Sequence, residues 1–308
     1  EADAVVLTLA RRRFQTCLDA ESHFRTQALA DAKFAAGTWG ESTYQWPAGV
    51  QEDRQRDQRP CLTINRIPSF KRQVTNAARQ ANLRIRVIPV DDRGDPKLAE
   101  VLQGIIRNIE TQSFADRAYT MACDKQAEQG RGCFRLLTEF ADETSFRQRI
   151  RIVREPNPLS VFWDPDAREP DYRDADYCFK ATDIDEAVFE ALTGFPPPDA
   201  SALGAFAAEG TDTGAWFPNG KVRLMEYWSR EPHGPARCLA QLADGQVVEV
   251  EGPDVTEVQG VRVLRVRHSQ PKVIVWRKHD ALRIYETTTW PADAVPFIPV
   301  LGEEVEIE

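Results

Sequence analysis

The sequence predicts an α+β chain, with helices through its first 130 residues and short antiparallel strands after them. Two patterns and one composition point that way. Before Gly130 the apolar residues recur at helical spacing, and after Gly132 they alternate along short segments. Apolar residues make up 42% and charged residues 28% of 308, enough to bury a real core in one large domain or two ordinary ones. No apolar run approaches the roughly 20 residues that cross a bilayer, so the chain reads as soluble. Texture divides it into a helical part (1–130), a β-rich part (131–199), a linker or loop (200–220) and a second β-rich region (221–308).

The first helix spans residues 3–36, carried by Leu7, Phe14, Leu18, Phe24, Ala28 and Ala32 and stopped at Gly37. Gly37 to Pro60 holds Gly, Trp and Pro and a charged stretch, Gln51 to Arg59, and reads as an exposed loop. Asn65 is placed to cap a second helix over 65–82, with Pro68 in its first turn and Phe70, Val74, Ala77, Ala78 and Ala81 on one side. Leu83, Ile85 and Val87 alternate as a strand, and Asp91 to Pro96 forms a turn. A third helix covers 97–112 with Leu98, Val101, Leu102, Ile105, Ile106 and Ile109; Ser113 is placed to cap a fourth over 114–129.

Strands follow at Cys133–Phe140, Gln148–Arg154, Ser160–Trp163 and Tyr177–Ala181, then a short helix at Ile184–Leu192. Ala200 to Asn219 is rich in Gly, Ala and Thr. Beyond it come strands at Val222–Trp228, Val261–His268, Lys272–Lys278 and Leu282–Thr288, with a hairpin around Asp244-Gly245. Pro296 to Leu301 is extended and reads as buried, with no terminal helix after it. That open end, and the missing initiator Met, lead to the expectation that the chain is part of a longer one.

The sequence holds none of the common catalytic or cofactor patterns. There is no G-x-S-x-G, Walker A, H-E-x-x-H or G-x-G-x-x-G. The lone G-x-G, Gly130-Arg131-Gly132, lies between helix and strand, the reverse of a dinucleotide site, and reads as a helix stop and tight turn. The six cysteines form no C-x-x-C and sit in apolar segments, as buried thiols of a reducing compartment do. Asp164, Asp166, Asp171, Asp174 and Asp176 are dense enough to suggest Ca²⁺ or Mg²⁺, but lack the glycine and closing Glu of an EF-hand loop; an Asp-capped turn is the preferred reading. The expectation is therefore no catalytic residue, no metal and no cofactor.

Net charge is −9, which excludes a sequence-specific DNA binder with a basic footprint but not a wall that DNA slides past. One basic concentration stands out: Arg262, Arg265, Arg267, Lys272, Arg277 and Lys278, on consecutive predicted strands. It reads either as a patch touching DNA, a partner or a neighbouring subunit, or as a solvated sheet face. The seven tryptophans are spread too widely to form a stacking platform by spacing, and are expected in the core or in subunit contacts.

Several separated segments, taken in order, carry a family resemblance. They are Trp39-Gly40 and Trp46; Arg59-Pro60-Cys61-Leu62-Thr63-Ile64-Asn65-Arg66-Ile67; Val74 to Gln80; and Val87-Ile88-Pro89. Then come Gln126 to Arg135, Pro156 to Ala167, Asp174 to Tyr177, Val222 to Trp228 and Pro296 to Glu303. The series resembles the portal proteins of short-tailed phages related to P22, over nearly the whole chain. Members of that family are much longer. The resemblance implies the N-terminal portion of a subunit in a twelve-membered ring, with wing, stem, clip and crown regions around a central channel at one capsid vertex, assembled in the host cytoplasm and retained in the virion. It implies contact with major capsid protein, with the terminase large subunit, and later with head-completion or tail adaptor proteins. Double-stranded DNA would pass without sequence specificity, with no catalysis by the ring and no membrane. Twelve copies would carry about −108, and screening over about 8 Å confines their repulsion of DNA to near contact. A tailspike-like carbohydrate-binding module is the alternative, suggested by scattered Trp and paired acids but lacking repeat periodicity. A head–tail adaptor is a third reading, set aside because such chains are shorter.

Overall fold

A 35-residue helix, α1 (Ala2–Ala36), opens the chain, and its apolar ridge is the one the spacing marks out. The structure is a computed structural model that describes residues 2–37, 46, 48–61, 64–80, 85–89, 94–198, 221–234, 237–241, 245–251, 262–267 and 272–302. Helices α2 (Ala48–Arg56), α3 (Ile67–Gln80), α4 (Pro96–Ser113) and α5 (Ala115–Gln129) follow. Then come β1 (Arg131–Phe140), β2 (Gln148–Arg154), β3 (Val161–Trp163), β4 (Tyr177–Ile184), α6 (Glu186–Thr193) and β5 (Val222–Pro232). The last strands are β6 (Arg237–Gln241), β7 (Val247–Glu251), β8 (Arg262–Arg267), β9 (Lys272–His279), β10 (Ile284–Trp290) and β11 (Phe297–Leu301). The chain is thus α+β with antiparallel sheets. Among the described residues no helix is long and apolar enough to cross a membrane.

Two compact units share the chain, and each is discontinuous in sequence. The first comprises Glu1–Leu18, Ser160–Glu169 and Arg173–Val295. Its main sheet has the order β10-β9-β5-β4-β3. The first half of α1 lies on one face, where Ala10, Phe14 and Cys17 meet Phe162, Tyr177, Phe179, Ala181, Met225 and Tyr227. Alternation explains the membership, because Phe162, Phe179 and Tyr227 stand in one cross-strand row. Phe14 meets the rings of Phe162 and Phe179 edge-on at 4.9 and 5.5 Å, and Phe179 stacks on Tyr227 at 4.7 Å. Burying Phe14 alone is worth about 3 kcal/mol. On the opposite face Trp228 meets Trp276 and Trp290, at 6.0 and 5.4 Å between centroids. Residues far apart in sequence converge there through strand pairing. A three-stranded sheet, β7-β6-β8, also belongs to this unit, and Gly245 takes a positive φ in the β6–β7 hairpin.

The second unit comprises Asp19–Leu159, Pro170–Tyr172 and Pro296–Glu308. Helix α5 packs on the sheet β11-β1-β2, around Ala115, Ala118, Ile152, Tyr119 and Phe134. Gly130 caps α5 in the left-handed conformation, its N–H bonded to the Gln126 carbonyl at 2.8 Å. Gly132 has no side chain because none fits: a Cβ would stand 1.8 Å from the Ala122 carbonyl oxygen. Glu21 joins Arg25 and Arg131 at 2.6 and 2.7 Å, and Arg131 lies over the Phe24 ring.

Three readings of the sequence are corrected. The expected loop at 37–60 contains a helix, α2, whose polar residues are good helix formers without an apolar stripe to announce it. Of the strand expected from Arg84 to Val90, the described residues 85–89 are not in strand conformation, and Ile85 and Ile88 are exposed. Ser113 does not cap α5: its hydroxyl accepts the Ile152 N–H at 3.1 Å, while Phe114 in the left-handed region joins α4 to α5. Asn65 stands one residue before the N-cap position of α3 and accepts the Ile67 N–H at 3.0 Å, an Asx turn that leads into the helix. The linker or loop expected over 200–220 lies outside the described residues.

Candidate functional site

The six basic residues stand on strands of two different sheets. Arg262, Arg265 and Arg267 stand on β8, the edge of the small sheet, and their side chains lie outside the described residues. Lys272, Arg277 and Lys278 stand on β9 of the five-stranded sheet. Lys272 is half-exposed and reaches Asp176 at 3.3 Å. Arg277 and Lys278 point to opposite faces, as strand neighbours must.

Arg277 belongs to a largely buried polar network. Its guanidinium clamps both Glu231 oxygens, one of them at 2.9 Å, and donates to the Ser229 hydroxyl at 3.1 Å. Burial alone would raise the Glu231 carboxyl, but the bonds from Arg277 and Ser229 outweigh it and hold it below the usual carboxylate range. Nearby, Arg13 on α1 donates to the Tyr227 hydroxyl at 2.7 Å and lies over the Tyr177 ring. The arrangement fixes α1 on the sheet by charge-assisted bonds.

His279 is buried in the same unit. Its Nδ1 accepts the Ala281 N–H at 3.1 Å, and Arg11 donates to the Ala281 carbonyl at 2.9 Å. Burial first, then the charges of Arg11 and Arg277, pushes the imidazole down to about 3, so it is neutral. Ala281 itself has φ +77°, and Asp280 ties the turn together by accepting from Leu282 N, Arg283 N and the Tyr285 hydroxyl.

The aspartate cluster is built as capped turns. Asp164, buried, accepts the N–H groups of Asp166 and Asp176 at 3.1 and 3.0 Å. Asp174 accepts those of Arg168 and Glu169, and the Arg168 N–H leads the causes that hold its carboxyl below the ordinary range. Among the described residues no three His, Cys, Asp or Glu side chains converge as metal ligands do.

A different surface was missed by the sequence reading. Helix α3 turns its polar side inward, where Lys71 meets Glu128 at 2.6 Å, Arg79 meets Asp124 at 2.7 Å and Thr75 is buried. Its apolar side faces outward, with Phe70 61% and Val74 68% exposed. Helix α4 likewise covers Ala99 and leaves Leu98, Val101, Leu102 and Ile105 largely uncovered. From Arg59 to Val90 there are seven basic residues and no acidic one, in a chain of net charge −9. That run was the available signal; it was hidden because its charges are spaced out among apolar residues.

Comparison with known proteins gives these surfaces a context. The family model for the phage P22-like portal protein matches residues 11–308. The chain belongs to the P22-like phage portal family. It is also 27% identical over 307 residues to a portal protein of Acyrthosiphon pisum secondary endosymbiont phage 1, an alignment covering 95% of this chain. The chain spans 42% of that relative's length. Both matches name a portal protein, in agreement with the resemblance carried by the separated segments from Trp39 to Glu303.

Proposed function

We propose that this chain is the N-terminal portion of a portal subunit, twelve copies of which form a ring around a channel at one capsid vertex. Double-stranded DNA enters and leaves through that channel. The ring sits against major capsid protein, docks the terminase large subunit during packaging, and receives head-completion or tail adaptor proteins afterwards. It assembles in the host cytoplasm and stays in the virion. The family match over residues 11–308 carries this reading.

Charge and chemistry support it. A net charge of −9 per copy favours loose, sequence-blind passage over tight binding. The polar groups that are best positioned, around Glu231 and Asp164, are occupied in holding the fold. We retain Arg262, Arg265, Arg267, Lys272 and Lys278 as proposed contacts to DNA, a partner or a neighbouring subunit; Arg277 is committed to Glu231. Negative-stain electron microscopy of the full-length protein is the test. Rings with a central hole are expected, and a compact monomer under all conditions would overturn the proposal.

A further inference from the structure

We propose that the outward strip of α3 is a contact between copies of this chain, seated against the uncovered strip of α4 on the next copy. The proposal rests on the ring reading above and names the surface through which the ring closes.

The first observation is the orientation of α3. An amphipathic helix ordinarily buries its apolar face against its own domain. Here the polar face is held inward by the Lys71–Glu128 and Arg79–Asp124 pairs, and Phe70, Val74, Ala77 and Ala78 are left in solvent. The inward pairs fix this orientation, so the apolar face is available to a second molecule without refolding.

The second observation is α4. It is apolar on more than one side: Ala99, Ile106 and Ile109 turn toward their own unit, while Leu98 and Val101 are 56% and 57% exposed. A helix apolar over so wide an arc is normally covered, and soluble monomers rarely leave such patches open. The unit thus offers two uncovered apolar strips on different helices. A head-to-tail ring needs that: each copy presents two unlike surfaces, and the first of one meets the second of the next.

Charge selects a second copy as the occupant. Of the seven basic residues between Arg59 and Val90, Lys71 and Arg79 are paired inward with Glu128 and Asp124; the run holds no acidic residue, and the rest of the chain nets −16, from −9 overall less +7 for the run. Arg66 and Arg72 are exposed beside the α3 strip. Such a strip meets opposite charge on the rest of a neighbouring copy. Duplex DNA would satisfy the arginines but not Phe70, Val74 and Ile64, which would stand against phosphates with nothing to bury them.

The test uses the full-length protein. Native mass spectrometry of the wild type comes first; absence of any oligomer would remove the ring reading itself, and this proposal with it. Given rings, Phe70→Glu with Val74→Glu is expected to lower the ring fraction at least tenfold at matched concentration. The far-UV circular dichroism melt should be unchanged, because both side chains are exposed. Rings at wild-type yield would overturn the proposal and leave the ring reading standing. A second measurement places p-benzoylphenylalanine at position 70 in rings mixed from isotopically light and heavy copies. Cross-links between copies, to the peptide holding Leu98 to Ile105, are expected. Cross-links confined to one copy, or captured by added duplex DNA, would overturn it.

Discussion

Replacing Gly132 by Ala tests the closest approach in the second unit. A Cβ there would stand 1.8 Å from the Ala122 carbonyl oxygen, 2.6 Å from its carbonyl carbon and 2.9 Å from its Cα. Real contacts of this kind begin near 3.0 Å, so β1 and α5 must part by roughly 1.2 Å. The obstacle is helix backbone, which cannot rotate aside as a side chain would. Parting them also loosens Ala118 and Tyr119 from Phe134 and Ile152. The cost falls at the upper end of the range for overpacked cores, about 3 kcal/mol. Urea unfolding followed at 222 nm reports it, because α3, α4 and α5 all lie in this unit. Gly104→Ala is the control: it sits in α4 with open space around it and should gain about 0.7 kcal/mol from helix propensity. A Gly132→Ala loss below about 1 kcal/mol would refute the close packing of β1 on α5.

Three further outcomes follow from the first unit. Glu231→Gln should cost about 2 kcal/mol in chemical denaturation, since Arg277 loses its charged partner in a partly exposed setting. Because the Glu231 carboxyl is held low in the folded state, its contribution is present above the ordinary carboxylate pKa of about 4.3 and is lost as pH falls through the folded value; the variant should lose less stability than wild type on acidification. His279, pushed down to about 3 by burial, makes stability fall as pH drops below its unfolded pKa of about 6.5, by up to about 1.4 kcal/mol per pH unit until the folded value is reached. His279→Gln should flatten that slope between roughly pH 6 and 4, and an unchanged slope would show that the imidazole is not buried as described. Asp164→Ala should cost about 2 kcal/mol by stripping two N–H groups of their acceptor, whereas EDTA should leave the wild-type melt unmoved.

Much of the fold was legible because local rules and burial agreed. Phe14 and Leu18 announced α1, Gly130 the end of α5, and the alternation of Tyr177, Phe179 and Ala181 the core face of β4. The failures share a physical cause, which is that periodicity identifies a face but not its neighbour. Phe70 and Val74 were correctly placed on one side of a helix, yet that side points to solvent because Glu128 and Asp124 hold the other. Sheet membership is likewise not written in periodicity: β8 and β9 are adjacent in sequence but pair in different sheets. Helix α2 had no stripe to read. The tryptophans at 228, 276 and 290 looked scattered until strand register brought their rings together.

The portal assignment is tested most directly on intact particles. Antibodies raised against this chain, with gold labels viewed by electron microscopy on opened capsids, should mark one vertex per particle. Label spread over the whole shell, or confined to the tail's outer fibres, would contradict it.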